Sequence, residues 1–198
     1  MNLVDRAKNI ITTPKTEWPV IAGEEPNTAQ IMTGYVLPMA ALPAIATFIG
    51  SGFIGGGLMH ANIGYGIGMG IVSFVVSVLA VFLTATVVNL FAPSFDSQKD
   101  MGRAVQLVAY SFTPSWIGGI LNIVPLLGIL GSLFGLYGLY LLYLGLPHQM
   151  KTPTDKVVVY LIVSIIVLMV FYFVLGAILT GIIVAIFAAG IMSGLGGM

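Results

Sequence analysis

Residues 104–150 read AVQLVAYSFTPSWIGGILNIVPLLGILGSLFGLYGLYLLYLGLPHQM, and none of these 47 residues is Asp, Glu, Lys or Arg. A helix needs about 20 apolar residues to cross the hydrocarbon core of a bilayer. The stretch is too long for one span and long enough for two. Its natural break is Asn122-Ile-Val-Pro125, a polar residue followed closely by a helix breaker. The reading is a tight transmembrane hairpin, one span near 105–123 and the next near 126–146.

The same reasoning divides the rest of the chain. Residues 30–94 are uncharged but break at the glycine-rich GSGFIGGGLMHAN of positions 50–62. That leaves spans near 33–50 and 64–91. A fifth run, 157–189, would be about 50 Å long at 1.5 Å per residue. It is expected to tilt, protrude, or bend near Gly176 or Gly181. The predicted architecture is all-α: a polytopic integral membrane protein with five transmembrane helices in one domain, 1–198, preceded by a short N-terminal interfacial helix.

Composition agrees. Of 198 residues 7% are charged and 58% hydrophobic, mean hydropathy is +1.06, and net charge is zero. Soluble domains carry roughly 25% charge, so a soluble globular enzyme is excluded. Disorder is excluded by the high hydrophobicity, and nucleic acid as a partner by the missing basic excess. With no cysteine there is no disulfide or thiol chemistry.

Basic residues orient the spans. Arg6, Lys8 and Lys15 precede the first span, Lys99 and Arg103 follow the second, and Lys151 and Lys156 follow the fourth. The three intervening or terminal segments hold none. Five spans with a cytoplasmic N-terminus and an outside C-terminus satisfy every segment. Residues 1–30 contain no apolar run of secretory-signal length, so the first span is expected to act as an uncleaved insertion signal. Within them, Leu3, Val4, Ala7, Ile10 and Ile11 share one helical face, while Asp5, Arg6, Lys8 and Asn9 take the other. This predicts a helix lying on the cytoplasmic surface and ending before Pro14. Trp18, Tyr140 and Tyr143 suit interfacial anchoring.

Helices in lipid associate through small residues. Gly66, Gly70, Ser73, Ser77, Ala80 and Thr84 recur at spacings of four and three in the second span. Gly128, Gly131, Gly135, Gly138 and Gly145 do so in the fourth. These stripes are expected to pack within the molecule, or to form an oligomer seam.

Chemistry is sparse. No charged residue lies in any predicted span, whereas ion-coupled carriers keep one at mid-membrane. No nucleophile–base pair is visible, His60 and His148 fall on opposite faces, and no catalytic residue, metal site or cofactor is expected. Glu24, Glu25, Asp96 and Asp100 read as a solvated loop cluster. Ile63-Gly64-Tyr65-Gly66 resembles a potassium-filter core, whose carbonyls would face an ion. Asn62 stands where Thr is expected, and the upstream segment is too glycine-rich for a pore helix.

Residues 101–160 carry a family pattern: Val108-Ala-Tyr110-Ser-Phe-Thr-Pro114, Gly118-Gly119, Asn122-Ile-Val-Pro125-Leu-Leu-Gly128, Leu141-Leu-Tyr143-Leu-Gly145-Leu-Pro147 and Met150-Lys151-Thr-Pro153. This resembles the Yip domain family, multi-span proteins named for interaction with Ypt/Rab GTPases. The segment Pro14-Lys-Thr-Glu17-Trp18-Pro-Val-Ile21 looks like its bacterial branch. The resemblance implies five spans, a cytoplasmic N-terminus and a place in the bacterial inner membrane. Rab binding is not carried over, because the short N-terminal region lacks the DLxGP-type motif of eukaryotic members. Physically, Pro114 frees a backbone carbonyl, Pro125 fixes the hairpin, and Pro147 and Pro153 bracket a rigid loop.

The expectation is a non-enzymatic protein that contacts the lipid bilayer and forms a homo- or hetero-oligomer. It would organise a membrane complex, membrane shape or trafficking through helix packing and a cytoplasmic face of Trp18, Glu24, Asp100, Arg103 and Lys151. The alternative is a channel or uncoupled facilitator.

Overall fold

The computed structural model describes residues 2–55, 61–171 and 173–174, all its regular elements being helical. Two short helices, α1 (Leu3–Thr12) and α2 (Pro14–Ala22), come first. Three helices are long and apolar enough to cross a membrane: α3 (Thr28–Ile54), α4 (Ile63–Phe95) and α7 (Pro125–Gln149). The predicted third span is instead a broken helix, α5 (Met101–Ser111) and α6 (Thr113–Gly118), followed by a 3-10 segment to Ile123. The fifth run begins as α8, Val157–Phe171. Gly176 and Gly181, where a bend was expected, lie outside the described residues, as does His60.

The break in the third run has a local cause. Pro114 cannot donate to the carbonyl of Tyr110, four residues earlier. The Thr113 hydroxyl donates to that carbonyl instead, at 2.7 Å, and Tyr35 Oη stands 2.6 Å from the same hydroxyl. Because Thr113 has spent its hydrogen, Tyr35 is the donor to it. One proline is thereby accommodated by a buried chain of hydrogen bonds between α3 and the α5–α6 junction. Pro147 behaves differently from expectation. It lies within the last turn of α7, which continues to Gln149, so the following loop starts at Met150 rather than at Pro147.

The small residues mark close approaches. A Cβ added to Gly66 would lie 2.5 Å from Gly52 Cα, and one on Gly70 would lie 3.1 Å from Ala44 O. In α7, a Cβ on Gly131 would lie 2.5 Å from Gly118 O, and one on Gly138 would lie 2.8 Å from Ser111 O. Backbones this near are what small residues in membrane helices allow. Gly128 approaches the Asn122 side chain and Gly135 the Ser115 hydroxyl. Ser73 and Ser77 line a groove rather than a glycine contact. They face Gly128, Gly131 and Gly135 across a groove of about 370 Å³ that also meets Asn122.

Ile63–Gly66 is the first turn of a regular α-helix, capped by the Asn62 side chain on Tyr65 N at 2.9 Å. Helical carbonyls run along the helix axis toward the next turn. They cannot ring an ion, so the filter reading of this string is overturned.

Candidate functional site

One end of the molecule gathers the charged segments. The Arg103 guanidinium donates to Ala22 O and to Glu24 O, each at 2.9 Å, tying α5 to the end of α2. Asp100 caps α5 by accepting from Arg103 N at 3.0 Å. Lys156 pairs with Asp96. Gln98 N donates to Met150 O at 2.7 Å, and Ser97 donates to Thr152 at 2.9 Å. The loop before α5 and the loop after α7 are thus stitched together. At the opposite end, Asn122 reaches Thr47 at 3.5 Å, and Asn62 N donates to Ser51 O at 3.3 Å.

The N-terminal helices are not a surface layer. α1 and α2 fold back on each other as a hairpin let into the bundle. The α1 residues Leu3, Ala7 and Ile10 join the core with Met39, Leu42 and Ile117. Tyr137 Oη donates to Ile11 O at 2.7 Å. Tyr137 is twelve residues before Gln149, about 18 Å from the end of α7 at 1.5 Å per residue. Trp18, on the returning helix, has no solvent exposure and packs on Gly145, where an added Cβ would lie 2.7 Å from the indole.

Arg6, expected on the solvent stripe of α1, is 4% exposed. Its guanidinium donates to Glu17 at 2.7 Å and also pairs with Glu24. It lies 5.3 Å from the Tyr110 ring centroid, a cation–π contact. Tyr110 in turn meets Tyr35 edge-on, centroids 4.8 Å apart. Burying charge is costly unless it is paired and hydrogen-bonded. Here one cation is shared by two carboxylates and an aromatic face. The spans themselves carry no charge, yet the hairpin brings an ion pair into the bundle.

Among the predicted face residues, Trp18, Glu24 and Arg103 come together around the hairpin, with Asp100 beside Arg103. Lys151 does not join them: it is exposed, in the loop after α7, with φ of 50°. The four loop carboxylates do not form one solvated cluster either, since Glu24, Asp96 and Asp100 each serve a different partner. Tyr110 and Pro114 belong to the α5–α6 junction, Pro125 starts the 3-10 turn that opens α7, and Pro153 accepts from Lys156 N at 3.0 Å. Tyr140 and Tyr143 are 40% and 41% exposed on the flank of α7. Sequence reading missed Arg6, Glu17, Tyr35, Gln106 and Thr113 as site residues.

Beside the ion pair is a cavity of about 330 Å³, lined by Arg6, Glu24, Glu25 and Gln30, and by Tyr35, Gln106 and Tyr110. Among the described residues no group of three or more His, Asp or Glu is placed to hold a metal.

The chain matches the Yip1 domain model over residues 8–178. It is 25% identical over 119 residues to Inner membrane protein YohC of Escherichia coli K12, covering 58% of this chain and 61% of that protein. The same figures hold for Inner membrane protein YohC of E. coli O6:H1. The chain thus aligns with less than two thirds of these relatives' length. No solved structure matches it. The family match begins at residue 8, midway along α1, and extends into the fifth run, so it takes in most of the hairpin and the bundle that receives it: this membrane protein belongs to the Yip1 domain family.

Proposed function

We propose that this chain is a non-enzymatic, five-span scaffold of a bacterial inner membrane, with its charged end in the cytoplasm and its C-terminus outside. It organises a membrane complex or local membrane shape. The observation that carries this reading is the division of labour over the surface. At the charged end, polar side chains bond mainly to one another and fix the hairpin. Along α4 and α7, large apolar side chains stand free: Ile71 is 60% exposed, Leu79 59%, Ile129 74% and Leu136 64%. Such flanks meet lipid or the helices of other membrane proteins. The alternation of basic segments supports the orientation, and the similarity to an inner membrane protein supports the location.

A facilitator is the second reading, favoured by the groove between α4 and α7 with Ser73, Ser77, Ser115 and Asn122 on its walls. Native mass spectrometry of the complex released from its own membrane in mild detergent separates the two. A defined homo- or hetero-oligomer is expected of a scaffold. A monomer whose liposomes pass small solutes, with flux lost on Ser77→Leu, would replace the scaffold with the facilitator.

A further inference from the structure

The cavity beside Arg6 has more hydrogen-bonding capacity than the protein uses. Tyr110 lines it and is 7% exposed, and its hydroxyl has no hydrogen-bond partner among the described residues. Gln106 lines it and is 2% exposed. Its carbonyl is 3.5 Å from Arg103, while its amide NH₂ donates to nothing among the described residues. Donors without a protein partner that a cavity reaches take their partner from it. Two of them opening into one cavity point to a ligand with acceptor oxygens.

The mouth carries the opposite chemistry. Glu24 and Glu25 stand there with Arg6, and Glu25 is exposed and has no ion-pair partner among the described residues. Within the lining, two carboxylates, those of Glu24 and Glu25, stand against one guanidinium, that of Arg6. A purely anionic ligand would meet repulsion at this mouth, and a simple cation would leave the inner donors unused. A zwitterion with acceptor oxygens inward and an ammonium outward uses both.

The position selects the source. Asn27, which caps α3, and Gln30 and Gly34 in its first turns are exposed and line the opening, near the end of a span. Lipid headgroups stand at that level. A Cβ built on Gly34 meets nothing within 4 Å, so the backbone there borders open space. We infer that the cavity binds the phosphoethanolamine headgroup of a phospholipid. The Tyr110 hydroxyl and Gln106 amide donate to phosphate oxygens, and Glu25, with Glu24, accepts from the ammonium. The inference goes beyond the scaffold role and does not depend on it.

The test uses the full chain in detergent and native mass spectrometry. Phosphatidylethanolamine, phosphatidylglycerol and phosphatidylcholine with identical acyl chains are added in turn. One retained phosphatidylethanolamine is expected, favoured about tenfold over the others, the equivalent of one charge-assisted hydrogen bond. Tyr110→Phe keeps the ring and removes the hydroxyl, and should weaken retention by a similar factor. Gly34→Leu fills open space without touching the backbone, and should abolish retention while leaving the thermal midpoint of the lipid-free protein unchanged. Equal retention of the three lipids, or an undiminished adduct in Gly34→Leu, would overturn the inference. A thermal shift with soluble phosphoethanolamine and none with the lipid would overturn the lipid source.

Discussion

Arg6 donates to Glu17 at 2.7 Å across the two arms of the N-terminal hairpin, and the two side chains are 5% and 7% exposed. A buried pair of this kind is strongly destabilised by losing one member, because the other charge stays buried alone. Arg6→Ala should therefore cost about 3–5 kcal/mol. Replacing both, as in Arg6→Met with Glu17→Leu, should restore the thermal midpoint in detergent to near the parent value. A double variant as unstable as the single one would show that the pair contributes more than mutual neutralisation.

The Thr113 hydroxyl fills the place of the amide that Pro114 lacks. Thr113→Val leaves the Tyr110 carbonyl and the Tyr35 hydroxyl unpaired, a loss of about 1–3 kcal/mol. In a Pro114→Ala background the backbone amide gained at position 114 becomes available to the carbonyl, and the cost of Thr113→Val should shrink. A double-mutant cycle on thermal unfolding measures the coupling.

The indole of Trp18 covers Gly145. Gly145→Ala overpacks this contact and should cost about 1–3 kcal/mol. The chain has two tryptophans, so the variant is best made with Trp116→Phe. Trp18 emission should then shift to the red as the indole is pushed from its buried seat.

These residues show what was legible in sequence. Three of the five expected spans were, α3, α4 and α7, because lipid excludes charge and charge-free runs are visible by eye; the break of the third run at Phe112 was not. The role of Pro114 was half legible: its freed carbonyl follows from covalent structure, but Thr113 and Tyr35 as its remedy depend on a contact 78 residues apart in the chain. Arg6 was misassigned by its chemistry. Yet Leu3, Arg6, Ala7 and Ile10 fall at spacings of three, one and three, so Arg6 shares the buried face. Glu17 likewise sits among Pro14, Trp18 and Ile21. A charge at an apolar register position was the available signal. Its partner was not readable, because hairpin pairing is set by tertiary packing.

The Asp96 carboxylate beside Lys156 holds the lysine amine above its ordinary value of 10.5. The folded state thus favours the protonated amine. This contribution is complete below the ordinary value and is lost as pH rises through the folded one. Asp96→Asn should lower the thermal midpoint slightly at neutral pH, and the gap should close as pH climbs through the lysine range. The pair is exposed, so added salt should narrow the gap as well.

The central claim is that the hairpin, the loop before α5 and the loop after α7 share one side of the membrane, the cytoplasm. The natural chain has no cysteine, so single replacements report cleanly. Glu25→Cys, Lys99→Cys, Lys151→Cys, Asn62→Cys and Val124→Cys would be exposed to a membrane-impermeant maleimide in right-side-out and inverted vesicles. The account predicts that the first three label only in inverted vesicles and the last two only in right-side-out ones. Labelling of Lys99→Cys and Lys151→Cys from opposite sides would contradict it.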